Sequence, residues 1–165
     1  MKLFIIGKGE CGKTDAKDII IRETGLKAAD SSWFMAERVV RPYLELEHGI
    51  RYASLSDCYN DRRNHRPKWR KAIEEFTGPD PSLLSREIFS ENDIYAGMRS
   101  RREFLAAKHI SDLSIWIDAD QRVEKVDPSL DILKEDCDMI IDNNGTLEEF
   151  QSRVLRFCEF IKKAL

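Results

Sequence analysis

The stretch Gly7-Lys8-Gly9-Glu10-Cys11-Gly12-Lys13-Thr14 decides the fold of this chain of 165 residues. It matches the pattern Gly-x-x-x-x-Gly-Lys-[Ser/Thr], whose glycines let backbone N–H groups turn toward a phosphate at the N-terminus of a helix. Lys2 to Ile6, just before it, form a short apolar run typical of a strand buried in a parallel sheet. Thr14 to Thr24, after it, carry apolar side chains at helical spacing. This strand, loop and helix are the context that a phosphate-binding loop requires.

The motif predicts ATP and Mg²⁺ as cofactors and gives its residues separate roles. Lys13 would reach the β- and γ-phosphates as a catalytic residue, and the Thr14 hydroxyl would be a ligand of Mg²⁺. The residues predicted to bind the cofactor at the loop are Gly7, Gly9, Glu10, Cys11, Gly12, Lys13, Thr14 and Asp15. The alternative interpretation is a glycine-rich turn that binds no ligand.

A loop of this kind occurs in motors, switch GTPases and small kinases. A switch GTPase would need an Asn-Lys-x-Asp element for base recognition, and the sequence contains none. A motor would need a larger chain with contacts between subunits. The short chain and its basic central segment therefore favour a kinase for a small phosphorylated acceptor.

Strand and helix patterns alternate along the rest of the chain, which predicts one α/β domain over residues 1–165 with a parallel sheet covered on both faces. A strand or a loop is predicted at 26–30, and later strands at Ile94–Met98, Leu113–Asp118 and Met139–Asp142. The helices are predicted at Thr14–Thr24, from Ser32 to about Leu46, and at Pro67–Phe76, Arg101–Lys108 and Leu147–Ala164. The polar, basic segment from Gly49 to Pro81 is interpreted as an insertion over this core.

Composition limits the classes of partner. With 27 Lys and Arg against 30 Asp and Glu, the net charge of −3 gives no general attraction to nucleic acid or to an anionic membrane. The four cysteines are scattered without zinc-site spacing, so free thiols in a reducing cytosol are expected. The N-terminal apolar run is shorter than the roughly 7 to 15 residues of a signal-peptide core, and no stretch suits a membrane span. These features predict a cytoplasmic protein without a membrane partner.

Arg99 is the candidate for binding the phosphate of the acceptor. Phosphoryl transfer brings several negative charges together, so cations are expected around both substrates. Gly97-Met98-Arg99 follows a predicted strand, and α/β sheets bind ligands at the carboxyl ends of their strands. We therefore predict Arg99 to be catalytic as well as substrate-binding; an arginine that caps a loop is the alternative.

A second group of cations lies in the basic segment, where seven Lys or Arg stand against two Asp between Arg51 and Lys71. Arginine binds phosphate with two parallel hydrogen bonds, and interleaved aromatic rings can stack on a base. The residues predicted to bind the acceptor are Asp30, Ser31, Arg62, Arg66, Trp69, Arg70, Arg99 and Arg102. Asp30 is also a candidate for holding a water of Mg²⁺. A helix N-cap at Asp30 or Ser31, and a solvated charged face for the arginines, are the alternatives.

With these residues in view, the chain resembles the phage-type deoxynucleoside monophosphate kinases of the P-loop NMP-kinase superfamily. The resemblance rests on the loop GKGECGKT and on three looser segments that cover most of the chain, namely DIYAGMRSRREF, SIWIDAD and CDMIIDNNGTLEEFQSRV. It implies a three-layer α/β/α P-loop NTPase fold with a mainly parallel sheet of about five strands. It also implies an acceptor-binding insertion at about 31–92, a short lid at about 119–136, and contacts of Asn143 and Gly145 with the donor adenine.

The lid departs from the pattern of these relatives. Between Asp118 and Asp136 the basic residues are Arg122, Lys125 and Lys134, where many relatives place several arginines. Either the lid is reduced or catalytic arginines come from elsewhere.

Three function classes remain open at this stage. The first is a kinase that transfers a phosphoryl group from ATP to a deoxynucleoside monophosphate, with a dephospho-CoA or nucleoside kinase as the rival of the same kind. The second is a module that binds nucleotide or nucleic acid without turnover; a nucleic acid partner is the less favoured reading. The third is an interaction subunit that keeps the fold as a scaffold. A homodimer is compatible with each, and a phage-encoded chain would act in the host cytoplasm.

Overall fold

A computed structural model describes residues 1–124, 128 and 130–164. These residues form a five-stranded sheet in which every pairing is parallel, in the order β2-β3-β1-β4-β5. The strands are β1 (Leu3–Ile6), β2 (Ala28–Asp30), β3 (Ile94–Ala96), β4 (Leu113–Asp118) and β5 (Met139–Asp142). The prediction of a parallel sheet of about five strands is confirmed. Because all strands run the same way, their carboxyl ends meet at one edge of the sheet.

The helices alternate with the strands along the chain. They are α1 (Lys13–Thr24), α2 (Ser31–Met35), α3 (Arg41–His48), α4 (Leu55–Asn60), α5 (Arg66–Thr77), α6 (Leu83–Glu91), α7 (Arg101–Ala107) and α8 (Leu147–Lys162). A π-helical turn at Ala36–Val40 joins α2 to α3, where the sequence predicted one continuous helix. The helices α4 and α6 were not predicted. β3 ends two residues earlier than predicted, because Gly97 turns the backbone with a φ of 94°.

Two apolar cores lie on opposite faces of the sheet because successive strand residues point to opposite sides. Phe4 and Ile6 of β1 pack into the core on the face of the sheet that helices α2 to α7 cover. Leu3 and Ile5 pack into the core under α1 and α8. The result is the helix, sheet, helix layering predicted for the chain.

The segment between β2 and β3 contains five helices, α2 to α6, where the acceptor-binding insertion is predicted. The predicted lid at about 119–136 is described only in part, because residues 125–127 and 129 lie outside the described residues. Within the described ranges, no helix is long and apolar enough to cross a membrane.

The N-terminus of α8 carries a capping box. Thr146 accepts a hydrogen bond from the Glu149 amide at 3.2 Å, and the Glu149 carboxylate accepts one from the Thr146 amide at 3.1 Å. We expect Thr146→Ala to lower the free energy of unfolding by about 1 kcal/mol, since an amide of the first turn loses its acceptor. Urea denaturation measures the change. Ser152→Ala, on the exposed surface of the same helix, is the matched control and should cost nothing; equal losses in both variants would contradict the capping argument.

An ion pair ties α7 to the segment before β5. The Arg101 guanidinium donates to both carboxylate oxygens of Asp136 at 2.7 Å, and these hydrogen bonds lower the pKa of Asp136 to about 2 from its ordinary 3.8. A lowered folded-state pKa stabilises the fold fully above the unfolded value, and this contribution is lost as the pH falls through the folded value. We expect the difference in unfolding free energy between the wild type and Asp136→Asn to be constant from pH 7 to about 5 and to shrink toward pH 2.

Urea denaturation at a series of pH values tests this dependence. Glu159→Gln, on the exposed face of α8, is the control and should differ little from the wild type at any pH. A difference for Asp136→Asn that stays the same down to pH 3 would contradict the assignment.

Candidate functional site

The phosphate-loop motif connects β1 to α1 at the carboxyl edge of the sheet. Gly7 has a φ of 150° and Gly12 a φ of 95°, both in the region that favours glycine. A Cβ on Gly7 would lie 2.7 Å from the Ile117 carbonyl oxygen, and one on Gly12 would lie 2.5 Å from Asn143 Nδ2. The two glycines are therefore required both by the turn and by the close packing of the loop on β4 and on the residues after β5.

The loop presents backbone N–H groups at the N-terminus of α1. The amides of Gly9, Gly12 and Thr14 donate no hydrogen bond to any described residue, although the loop packs on the core. Unpaired amides at a helix N-terminus, where the helix dipole is positive, form a site for an anion. The phosphate-binding role predicted for these residues requires amides in this arrangement.

Lys13 lies across this loop. Its ammonium donates to the Gly7 carbonyl at 2.7 Å and to the Lys8 carbonyl, and lies 3.6 Å from Cys11 Sγ. A phosphate bound by the amides would compete with these carbonyls for the ammonium, because a charged acceptor forms the stronger hydrogen bond.

Contacts of Cys11 and Asn143 hold the phosphate loop in place. Asn143 Nδ2 donates to the Cys11 carbonyl at 2.9 Å, and the Asn143 amide donates to the Asp118 carbonyl at 2.6 Å. Burial raises the pKa of the Cys11 thiol, while the Lys13 charge opposes the shift. Cys11 therefore acts as a neutral packing residue at pH 7. Asn143, only 5% exposed, couples the loop to the ends of β4 and β5.

Two clefts open at the carboxyl edge of the sheet. The smaller has a volume of about 360 Å³ and contains the predicted cofactor residues Asn143 and Gly145 together with much of the loop. Its lining residues are Glu10, Cys11, Gly12, Lys13, Thr14, Asp15, Arg122, Asn143, Gly145 and Leu147. Arg122 and Leu147 were not predicted as site residues. Arg122 is held there by a hydrogen bond from Nε to the Asn143 carbonyl at 2.6 Å.

The larger cleft, of about 810 Å³, lies between the loop and the helices of the insertion. Its lining residues are Gly9, Glu10, Lys13, Thr14, Asp30, Ser31, Ser32, Tyr59, Arg62, Arg63, Arg66, Trp69, Ala96, Gly97, Arg99 and Pro128. The fold thus brings six of the predicted acceptor residues together, namely Asp30, Ser31, Arg62, Arg66, Trp69 and Arg99. Lys13 and Thr14 line both clefts, so the two spaces meet at the loop.

Arg70 and Arg102 do not line this cleft. Arg70 is exposed on α5 and pairs with Glu74 at 2.7 Å, one turn further along the same helix. Arg102 is exposed on α7. Its charge acts on the neighbouring Glu103, where it opposes the rise in the Glu103 pKa that burial causes. Both side chains therefore belong to the helix surfaces.

Among the residues described, three of the four arginines that line the larger cleft lack the carboxylate partner that many arginines elsewhere have. Seven arginines outside it form ion pairs with carboxylates, namely Arg22, Arg38, Arg51, Arg70, Arg86, Arg101 and Arg153. Within the described part of the chain, Arg62, Arg63 and Arg66 have no carboxylate within ion-pair distance. Positive charge without internal compensation in a concave space favours binding of an anion.

Arg62 is held in place by Tyr59. Its guanidinium lies 4.0 Å from the centre of the Tyr59 ring, and its Nη1 donates to the Tyr59 carbonyl at 2.9 Å. Trp33 packs on the same ring with the centroids 5.0 Å apart. Trp69 lines the cleft with 6% of its surface exposed, and its buried indole N–H has no partner among the described residues. This wall combines fixed positive charge with aromatic surface.

Charged residues link the loop to the described ends of the predicted lid segment. Lys8 pairs with Asp120 at 2.5 Å, and Lys134 pairs with Asp120 at 3.3 Å and with Asp118 at 3.4 Å. Lys134 is therefore paired at the carboxyl end of β4. Lys125, the third basic residue predicted for this segment, lies outside the described residues.

No group of three or more His, Cys, Asp or Glu side chains that could hold a metal ion occurs in residues 1–124, 128 and 130–164. Thr14, the predicted ligand of Mg²⁺, lines both clefts, and oxygens of the bound ligand and water would complete the coordination. This donor set suits Mg²⁺, which commonly keeps water and takes one or two protein ligands plus substrate phosphates. Asp30, the other candidate, is paired with Lys17 at 2.6 Å.

Comparison with known proteins gives structural neighbours only. No family model and no curated protein matches the sequence. TT1252 from Thermus thermophilus superposes with a TM-score of 0.54 and 17% identity over 97% of this chain and 96% of that chain. This chain has a three-layer α/β/α P-loop fold. The sheet order and the loop between β1 and α1 establish the fold together with that match.

Two further crystal structures superpose less well on this P-loop chain. A sugar kinase from Janibacter sp. HTCC2649 has a TM-score of 0.48 and 17% identity over 96% of this chain and 94% of that chain. Shikimate kinase from Bacteroides thetaiotaomicron has a TM-score of 0.49 and 13% identity over 98% of both chains.

Proposed function

We propose that this protein transfers the γ-phosphoryl group of ATP to a deoxynucleoside monophosphate, giving ADP and the deoxynucleoside diphosphate. The observation that carries the proposal is the meeting of the two clefts at Lys13 and Thr14. A donor in the smaller cleft and an acceptor in the larger cleft would have their phosphates side by side over the loop. Such proximity supplies much of the rate in phosphoryl transfer.

The donor would lie in the smaller cleft. The loop amides would bind its β- and γ-phosphates, with the Lys13 ammonium between them. The adenine would lie between the Arg122 side chain and the residues from Asn143 to Leu147, where a guanidinium plane and a half-exposed leucine offer a flat contact. When bound through Thr14, Mg²⁺ would neutralise charge on the transferred phosphate.

The acceptor would lie in the larger cleft. Its volume of about 810 Å³ is within the range typical of small-molecule sites. Arg62, Arg63 and Arg66 would bind an anionic acceptor, because within the described ranges no carboxylate pairs with them. The base of a nucleotide would pack against the aromatic wall that includes Tyr59. A phosphate and a planar ring on one ligand match the two kinds of side chain present.

The reaction follows from this arrangement. An oxygen of the acceptor phosphate attacks the γ-phosphorus of ATP, a new P–O bond forms, and the bond from the γ-phosphorus to the bridging oxygen breaks, so that ADP leaves with the electron pair. Lys13 from the loop and Arg99 from the residues after β3 would neutralise the charge that gathers on the transferred group. Arg99 is among the residues that line the larger cleft, at the same sheet edge as Lys13.

A coupled assay of ADP release with Mg-ATP tests the proposal against each common deoxynucleoside and nucleoside monophosphate. Dephospho-CoA and the unphosphorylated nucleosides are included as rival acceptors. We expect at least one deoxynucleoside monophosphate to stimulate ADP release and Arg99→Ala to remove the stimulation. ATP binding without stimulation by any monophosphate would overturn the acceptor assignment, and stimulation by a rival acceptor would replace it.

A further inference from the structure

Asp30 is the residue before α2, at a position where an aspartate ordinarily caps a helix. Its side chain makes no capping hydrogen bond. Instead, one carboxylate oxygen, Oδ2, accepts a hydrogen bond from Lys17 Nζ at 2.6 Å. The Asp30 carboxylate therefore does not cap α2 and is bound instead by a residue of α1.

Lys17 is a largely buried lysine. It lies one turn after Lys13 on α1, and its side chain is 12% exposed, compared with 50% for the Asp30 side chain that it contacts. Lysine is seldom buried without a partner, and here the partner is a carboxylate on the wall of the larger cleft. Of the pair, Asp30 is among the residues that line the cleft and Lys17 is not.

The charge of the cleft explains why Asp30 needs such a partner. Arg62, Arg63 and Arg66 line the same space, so the cleft suits an anion, and an isolated carboxylate on its wall would repel that anion. Lys17 compensates the charge of Asp30 at close range. The second carboxylate oxygen, Oδ1, has no hydrogen-bond partner within the described residues, so it can accept a hydrogen bond from a neutral donor on the ligand.

We propose that Lys17 is a positioning residue that holds Asp30 to accept a hydrogen bond from a hydroxyl group on the sugar of the acceptor. This inference rests on the proposed function, and it adds that the acceptor is recognised by a neutral hydroxyl as well as by its phosphate. In a deoxynucleoside monophosphate the hydroxyl available is the one at the 3′ carbon. The pair would then select acceptors that carry this group.

The test compares a 2′-deoxynucleoside monophosphate with its 2′,3′-dideoxy analogue in the wild type, Asp30→Ala, Lys17→Met and Lys17→Arg. The wild type should prefer the hydroxyl-bearing acceptor by about tenfold to a hundredfold in kcat/KM, the range for a hydrogen bond to a charged group. Asp30→Ala should lose this preference, so that the ratio of kcat/KM for the deoxy compound to that for the dideoxy compound falls toward one. Lys17→Met should act in the same direction, and Lys17→Arg should restore most of the preference.

A purely structural role for Lys17 would have a different signature. It would lower kcat/KM for both acceptors equally and would reduce the thermal midpoint, without changing the ratio between the acceptors; that result overturns the inference. Equal use of both acceptors by the wild type also overturns it while leaving the proposed function intact. If no monophosphate is bound or turned over by the wild type, the proposed function fails and this inference fails with it. Equilibrium binding of ATP to each variant shows that the donor site is unchanged.

Discussion

Replacing Lys13 with methionine is expected to lower kcat for ADP formation by about a hundredfold to a thousandfold, the loss typical of removing one preorganised charge or donor at a transferring group. Methionine keeps the length and apolar stem of lysine but removes the ammonium that lies over the loop carbonyls. Since the fold around the loop rests on Gly7, Gly12 and Asn143, we expect the thermal midpoint to change little. Steady-state kinetics under saturating Mg-ATP and acceptor measure the effect.

Lys162→Met is the matched control for this variant. Lys162 pairs with Glu23 at 3.3 Å between α8 and α1, remote from both clefts, so its loss should leave kcat unchanged. Turnover by Lys13→Met at a rate close to that of the wild type would contradict transfer at the loop. A Lys13→Met protein that loses turnover while the Lys162→Met protein keeps it supports the assignment.

The central part of the fold could be predicted from the sequence because local signals and tertiary structure agree there. The run Leu3–Ile6 is apolar at every position, as a central strand buried on both faces requires, and the motif after it has its own backbone conformation. The predicted helix end at Thr24 likewise matches the end of α1, which Gly25 follows in a left-handed conformation. Each of these features depends on neighbours close in sequence.

The helices α4 and α6 could not be recognised so readily. α4 is six residues long and largely polar, and it begins at Ser54 with a capping box completed by Asp57 in place of the more usual Glu or Gln. For α6 a signal was present, because Leu84 and Ile88 stand four residues apart and both are buried. Pro79 and Pro81 lie just before it, and prolines at this spacing are typical of a loop.

The composition of the smaller cleft depends on contacts between distant segments. Arg122 reaches it by a hydrogen bond to the Asn143 carbonyl, 21 residues further along the chain. Leu147 reaches it only because α8 begins beside the loop. Sequence patterns report which face a residue occupies within its own element, but these contacts depend on how separate elements meet. A basic residue four positions after the end of β4, opposite the turn before α8, is the signal that could have indicated Arg122.

Replacing Arg66 with alanine is expected to raise KM for the monophosphate acceptor by about tenfold or more, since a hydrogen-bonded charge is lost from the anion site. Arg66 is at the start of α5 and lines the larger cleft, whereas Arg70 is four residues, about 6 Å, further along the axis and pairs with Glu74. Both arginines were predicted to bind the acceptor, because spacing along a helix does not show where the cleft ends. Of the two, we expect only Arg66 to do so.

Arg70→Ala therefore serves as the matched control, with the same charge removed from the same helix. Its KM for the acceptor should stay within about twofold of the wild-type value, because a surface ion pair contributes little and a distant charge is screened by salt. Neither variant should change the affinity for ATP, measured by equilibrium binding. Equal increases of KM in both variants would mean that α5 attracts the acceptor through its overall charge and not through Arg66. The acceptor phosphate would then have to bind to Arg62, Arg63 and Arg99 instead.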